Sequence, residues 1–431
     1  MLKAAKIISI LVLAVSIMAF GPSKHKQGRK HLENGDYTRA LEVLTDALNE
    51  SPDKPEIHRD IGITYYKTSQ YEQAVSELDK AKQKLDKDGN VMFYLGLTYE
   101  RLKQYDKAIE EYSNYVNLGR FDGIKETIQK RIYQLIPKQA EQWAKERMEF
   151  EQQIDAASIP DNSIAVTYFK PFSVSEELEP LHKGLTDLII MDLLMIDDLR
   201  VLERERMKEI YEELGLGSTD LVDQSTAPRM GKLLGASTLV TGAFTGLGED
   251  KWRIDPTLGL VKVGEFQKLG SVEGEIPGFM QVEKELVLKV LDSLGVELTP
   301  EQRESILQNV PTESLQAFLA YSRGLNYMDN GMYEAAMQEF ESAISLDPGF
   351  TQAEEHLTGA QFLSEPTGSI GDLESLWNSV ISSDDGKNEL LGITLDAIGQ
   401  GDVDRVPGSE LSGPIEPEPV DEISLEVIIR W

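Results

Sequence analysis

Gly28, Gly62 and Gly96 lie 34 residues apart, Ala40, Ala74 and Ala108 keep the same step, and so do Tyr37, Tyr71 and Tyr105. Three residue types holding one period constrain this chain more than any other feature. A repeat of that length is one helix–turn–helix unit stacked on its neighbours. The small residues stand where the two helices of a unit touch, and the tyrosines fill the gaps beside them. A lone unit cannot bury its apolar face, so successive copies share a core and leave a concave groove. Residues 24–119 are therefore expected to form an α-solenoid, an architecture for holding polypeptide.

From the phase of the repeat, the inward positions of the first helices are Arg29, Arg59, Ile63, Tyr66, Lys67, Phe93, Leu97, Glu100 and Arg101. The chain carries 74 acidic residues against 43 Lys and Arg, for a net charge of −31. Against that background, four basic residues with aromatics between them attract an acidic, partly apolar peptide. The chain's own IEPEP segment is one candidate occupant. The same charge argues against nucleic acid and against anionic lipid headgroups, since like charges repel. Membrane association is expected to be indirect, or through an uncleaved signal anchor.

That anchor would be the N-terminus, read here as a signal peptide over residues 1–20. Lys3 and Lys6 precede an almost purely apolar run from Ile7 to Phe20. The run falls short of the roughly 20 residues a spanning helix needs and suits a signal peptide's apolar region. Cleavage after Ala19 fits best. Cysteine is absent, which excludes disulfides, thiolate metal sites, cysteine nucleophiles and a lipidated N-terminal cysteine. Export without cysteine fits a bacterial periplasm.

Residues 120–157 read as a polar connecting helix carrying Trp143. A different rhythm begins near Ser158. Ile164–Phe169 is an apolar strand, and Ser173 with Glu176 spells a capping box for a helix running to about Ile196. Arg200–Glu203 is a second strand, followed by helices at 204–214 and 226–234, the latter stopping at Gly235. Thr238–Thr245, Lys251–Val263 and Glu265–Glu275 read as strands, and 278–294 as a closing helix. The fold class is α+β multidomain: a mixed sheet flanked by helices over 158–297, after an α-solenoid. Pro256 and Gly259 predict a bulged or edge position for the fourth strand.

Thr299 and Gln302 open a last helical piece over 299–363, in which Gly324, Tyr333 and Ala336 repeat the N-terminal spacing. Residues 364–431 read as a flexible acidic linker with short helices expected at 372–381 and 387–398. The final residues alternate Ile423, Leu425, Val427, Ile429 and Trp431 with polar neighbours, apart from Ile428. Such a strand completes the chain's own sheet, adds to a partner's edge, or stays disordered.

The repeats resemble tetratricopeptide (TPR) units. Ile63 and Leu97 stand where carboxylate-gripping TPR grooves carry asparagine, which counts against capture of a C-terminal carboxylate. The segment from Ile164 to about Val296 resembles the CsgG-type family of curli production assembly/transport proteins, and more distantly the N-terminal domain of TolB. The matching blocks are IAVTYFKPF, GLTDLIIMDLL, RVLERERMKEIYEELGLG and GKLLGASTLVTGAF. The resemblance implies a bacterial envelope protein, often at the outer membrane, that assembles into oligomers connected with secretion. Pore-forming members are lipoproteins with long membrane-inserting hairpins. This chain lacks the cysteine, and its strand connections read as tight turns.

No catalytic constellation emerges. The histidines, His25, His31, His58, His182 and His356, lack ligand spacing, and Gly231-Lys232 and Gly246-Leu247-Gly248 read as helix exterior and hairpin turn. Asp86–Gly89 lacks the first carboxylate and the distal Glu of a calcium loop and reads as a turn between helices. Glu203–Arg206 is densely charged at a strand-to-helix junction, where such residues cap, pair or form an interface. No cofactor or metal is expected. The sequence reads as a non-enzymatic envelope scaffold with protein partners and self-association; a subunit of an outer-membrane secretion channel is the alternative.

Overall fold

The computed structural model describes residues 22–118, 122–202, 204–216, 226–247, 251–275 and 278–382. The signal segment, the helix expected at 387–398, the IEPEP segment and the terminal strand lie outside them. The chain forms two compact units, one of residues up to Ile132 together with those from Gly368, the other of Tyr133–Thr367.

In the first unit, helices α1 (Lys24–Glu33) to α6 (Tyr105–Asn117) form antiparallel hairpins: α1 with α2 (Tyr37–Glu50), α3 (Pro55–Lys67) with α4 (Tyr71–Lys82), and α5 (Gly89–Arg101) with α6. Each repeat glycine faces a large side chain on the second helix. A Cβ on Gly28 would come within 2.6 Å of Leu44, on Gly62 within 2.7 Å of Leu78, and on Gly96 within 2.4 Å of Tyr112. Ala40, Ala74 and Ala108 are fully buried at the same contacts. The turn inside each hairpin passes through the left-handed region at Gly35 (φ 75°), Ser69 (φ 60°) and Lys103 (φ 56°), again in step with the repeat. Helix α7 (Asp122–Glu149) begins in this unit and ends in the other.

The second unit is built on a mixed seven-stranded sheet with the path β3-β1-β4-β5-β6. Strands β1 (Ser163–Val166) and β3 (Arg200–Val201) run parallel to one another, and β1 and β2 (Lys170–Phe172) run parallel to β4 (Thr238–Gly246). Strand β5 (Lys251–Leu260) returns antiparallel to β4 and pairs on its other side with β6 (Glu265–Lys268) and β7 (Val272–Glu275). Alternate residues serve opposite faces. Ile164, Val166 and Val240 join one core with α8 (Leu181–Leu194), α11 (Phe279–Ser293) and α13 (Leu315–Asp329). Ala165 and Leu239 join a second core with α9 (Arg204–Glu213) and α10 (Ala227–Leu234).

Three sequence expectations are corrected. Ser173–Pro180 is not helical: Ser173 takes φ 51° after β2, and α8 starts only behind Pro180. Strand β5 is internal and unbulged, in continuous register with β4 from Thr238↔Leu260 to Gly246↔Trp252. Pro256 is tolerated because β7 pairs with residues 251–254 and β6 with 257–260, so its missing N–H falls between the two partners. The strand read over 265–275 is broken into two at Gly270 (φ 76°). The closing helices α12 (Pro300–Gln308), α13, α14 (Tyr333–Leu346) and α15 (Thr351–Ser364) begin with the Thr299/Gln302 capping box. Gly324 approaches Phe340 as Gly96 approaches Tyr112, at 2.4 Å for a built Cβ.

Charges interrupt the apolar α8. Asp192 is fully buried and accepts hydrogen bonds from Lys284 at 2.6 Å and Asn309 at 2.7 Å. Glu283, also fully buried, lies 3.0 Å from the same ammonium, and burial together with the Asp192 carboxylate pushes its carboxyl up to about 8.

Gly96→Ala should destabilise the first unit: overpacking costs about 1–3 kcal/mol and the better helix propensity of Ala offsets at most about 1. A lowered midpoint in thermal or urea denaturation checks it. Because the folded pKa of Glu283 lies above its unfolded value, the native state holds the extra proton between them, and stability falls as pH rises toward 8. Glu283→Gln should flatten that slope, read as a smaller difference in urea midpoint between pH 5 and pH 9 than the wild-type chain shows.

Candidate functional sites

The inward positions read from the repeat phase lie on α1, α3 and α5. They do not all act together. Arg29 is exposed and pairs with Glu33 at 3.0 Å. Arg59 bonds to Asp60 at 2.9 Å and Asp88 at 2.8 Å; burial disfavours its charge, yet these carboxylates hold its pKa above the ordinary value. Glu100 turns away to Arg131 and accepts from the Tyr112 hydroxyl at 3.2 Å. Ile63 and Leu97 are buried.

Tyr66, Lys67, Phe93 and Arg101 form a surface, and it is occupied. Helix α16 (Ile370–Ser382), IGDLESLWNSVIS, belongs to the same unit and lies on it. The Trp377 ring stacks on Phe93 with centroids 4.2 Å apart and planes 13° apart, and its edge meets Tyr115 at 5.4 Å. Trp377 is completely buried. Three residues earlier, Glu374 forms an ion pair with Lys67 and accepts from the Tyr66 hydroxyl at 3.4 Å. Burial first and the Glu374 carboxylate second push the Tyr66 phenol up. Arg101 lies beside Tyr66 and Glu374. The helix starts with Ser369, whose N–H and hydroxyl donate to Asp372 at 2.6 and 2.7 Å, and Arg131 donates to the Gly368 carbonyl at 2.9 Å.

The short helix expected at 372–381 thus forms over Ile370–Ser382, and its seat against Phe93 and Lys67 is what the sequence reading did not give. The signal available in the sequence was Trp377, a large aromatic amid Ser, Gly and acid, with Leu373 four residues before it and Ile381 four after it at helical spacing.

The second unit holds a buried charge centre that sequence reading missed. Asp329, at the end of α13, accepts from Lys183 at 2.6 Å, from Arg204 at 3.0 Å and from the Tyr168 hydroxyl at 3.0 Å. The Lys183 ammonium also sits 3.6 Å over the Tyr168 ring. Burial would raise the Asp329 pKa, but Arg204 and then Lys183 hold it below the usual carboxylate range. One turn along α8, Asp187 accepts from the Tyr321 hydroxyl, and burial raises its carboxyl. His356 stands 4.0 Å from Asp187 and burial keeps it well below the usual imidazole range. A cavity of about 360 Å³ opens beside this centre, lined by Asp187, Arg204, Glu205, His356 and the apolar Met191 and Leu194. Lys183 and Asp187 on an otherwise apolar helix were the available clue, since buried charges need partners. Of the Glu203–Arg206 run, Arg204 is an internal tie. Among the described residues no cluster of metal-ligating side chains occurs.

Residues 143–253 match the family model of the curli production assembly/transport component CsgG. Residues 31–91, 90–118 and 319–350 match tetratricopeptide repeat models. The chain therefore combines a CsgG-type segment with TPR repeats on both sides. Among solved structures it is similar to a tetratricopeptide repeat protein from Parabacteroides merdae, at 12% identity and TM-score 0.24 over 78% of this chain and 97% of that one. It is also similar to yeast Tom70, at 15% identity and TM-score 0.26 over 87% and 72%. A third similarity is to the TPR2AB domain of yeast Sti1, solved with pHSP90, at 11% identity and TM-score 0.25 over 79% and 97%. No protein of curated function matches.

Asp329→Ala should be among the most destabilising single changes in the second unit. It leaves Lys183 and Arg204 buried without their shared counter-ion, a loss of about 3–5 kcal/mol. Urea unfolding of the variant beside the wild-type chain measures it.

Proposed function

We propose that this chain is a non-enzymatic scaffold of the bacterial cell envelope. Its TPR groove, through Tyr66, Lys67, Phe93 and Arg101, holds a polypeptide segment, while the CsgG-like domain mediates self-association in an outer-membrane or secretion-related complex. Residues 1–20 serve as the export signal in this reading. One observation carries it: the repeat surface already holds an acidic amphipathic helix by a stacked tryptophan and a carboxylate–ammonium pair. That is the contact chemistry of a polypeptide-docking face. In the second unit Lys183 and Arg204 are committed to Asp329, and Lys284 to Asp192.

The test is fractionation and mass. The expected outcome is recovery in the envelope fraction, release by carbonate, and a multimer by light scattering after size-exclusion chromatography. Carbonate-resistant, detergent-stable rings would establish the channel alternative instead. A monomer recovered only from cytoplasm would refute both.

A further inference from the structure

We propose that α16 is a displaceable occupant of the TPR groove, and that the groove's partner in trans is an amphipathic helix presenting a carboxylate and a tryptophan one turn apart. The inference rests on the groove being a docking face. Glu374 and Trp377 then show what that face recognises.

Trp377 and Glu374 make the ring-stacking and ion-pair contacts of α16 with the groove. Trp377 lies flat on Phe93 with its edge against Tyr115, so the tryptophan site is an aromatic slot. Glu374 meets Lys67 and Tyr66, with Arg101 beside them, so the carboxylate site is basic in an otherwise acidic molecule. Two anchors a turn apart on one helix face are the pattern by which grooves read helical ligands. The helix itself carries Asp372 and Glu374 and no Lys or Arg. At 13 residues it is too short to hold its form alone, so its structure depends on the groove. Its ion pair keeps a solvent edge, with 16% and 17% of the Lys67 and Glu374 side chains exposed, where a competitor can begin.

A tethered helix competes at the effective concentration set by its connection, on the order of millimolar for short flexible linkers. A free peptide therefore binds weakly until the internal helix is loosened.

The experiment uses the full chain and a labelled synthetic peptide of residues 368–382, with binding read by fluorescence anisotropy. Glu374→Lys in the chain sets the internal helix against Lys67 and Arg101, and the peptide should bind that variant at least about tenfold tighter than the wild-type chain. Adding Lys67→Glu to it should abolish the gain, because the internal pair is restored in reverse and the peptide's own carboxylate meets a like charge in the groove. Equal binding to all three chains, or binding to none, overturns the proposal and makes α16 a fixed part of the core. Hydrogen exchange on the wild-type chain decides independently of any variant. Amides of α16 should exchange about a hundredfold faster than those of α5, and equal protection would overturn the displaceable helix. Both assays read the purified groove, so they can fail while envelope location and self-association stand, and the reverse.

Discussion

The close approach of paired helices at each repeat glycine is the constraint on which the solenoid depends. At Gly28, Gly62, Gly96 and Gly324 a side chain would overlap Leu44, Leu78, Tyr112 and Phe340. Glycine costs a helix interior about 1 kcal/mol in propensity relative to alanine. Its recurrence there shows that packing outweighs propensity. With the helices drawn in at that point, the alanines Ala40, Ala74, Ala108 and Ala336 can be buried completely, and the aromatic residues are left to line the concave side. The docking surface follows from that spacing: Tyr66 and Phe93 are placed by helices whose separation a hydrogen atom sets.

Much of this was legible because helical repeats are local. Period, hairpin and inward face all follow from residue types at fixed offsets, and the nine inward positions those offsets give include Tyr66, Lys67, Phe93 and Arg101 of the occupied surface. The α/β domain was legible in order but not in boundary. Ser173 and Glu176 spell a capping box that the backbone ignores, since Pro180 lies further along and suits a helix start. Pro256 spells an edge strand, yet sits inside the sheet because two short strands divide the far side of β5 between them. Sequence pattern reports the preference of a segment, and these cases were decided by neighbours distant in the chain.

The charge centre was hidden for a related reason. Asp329 is separated from Lys183 by 146 residues and from Arg204 by 125. Composition shows that such charges exist and cannot show which of them meet. Their burial has a structural consequence: α8 and α9 of the CsgG-like domain are tied to the last helix hairpin by a carboxylate shared between two cations. Gly184 reinforces the tie, since a Cβ there would lie 2.2 Å from Ser322 on α13. The C-terminal repeat is thereby a structural member of the second unit, with its glycine–aromatic packing intact and its Asp329 committed inward.

The same argument separates the two candidate sites in kind. A buried carboxylate held by two cations and a phenol is costly to open, because each cation left behind carries the full penalty of desolvation. The Lys67–Glu374 pair keeps contact with water, and the Trp377–Phe93 stack relies on ring area that any tryptophan offers equally well. Contacts of the first kind define a fold. Contacts of the second kind are interchangeable between a segment of this chain and a segment of another, which is the physical property a recruiting surface requires.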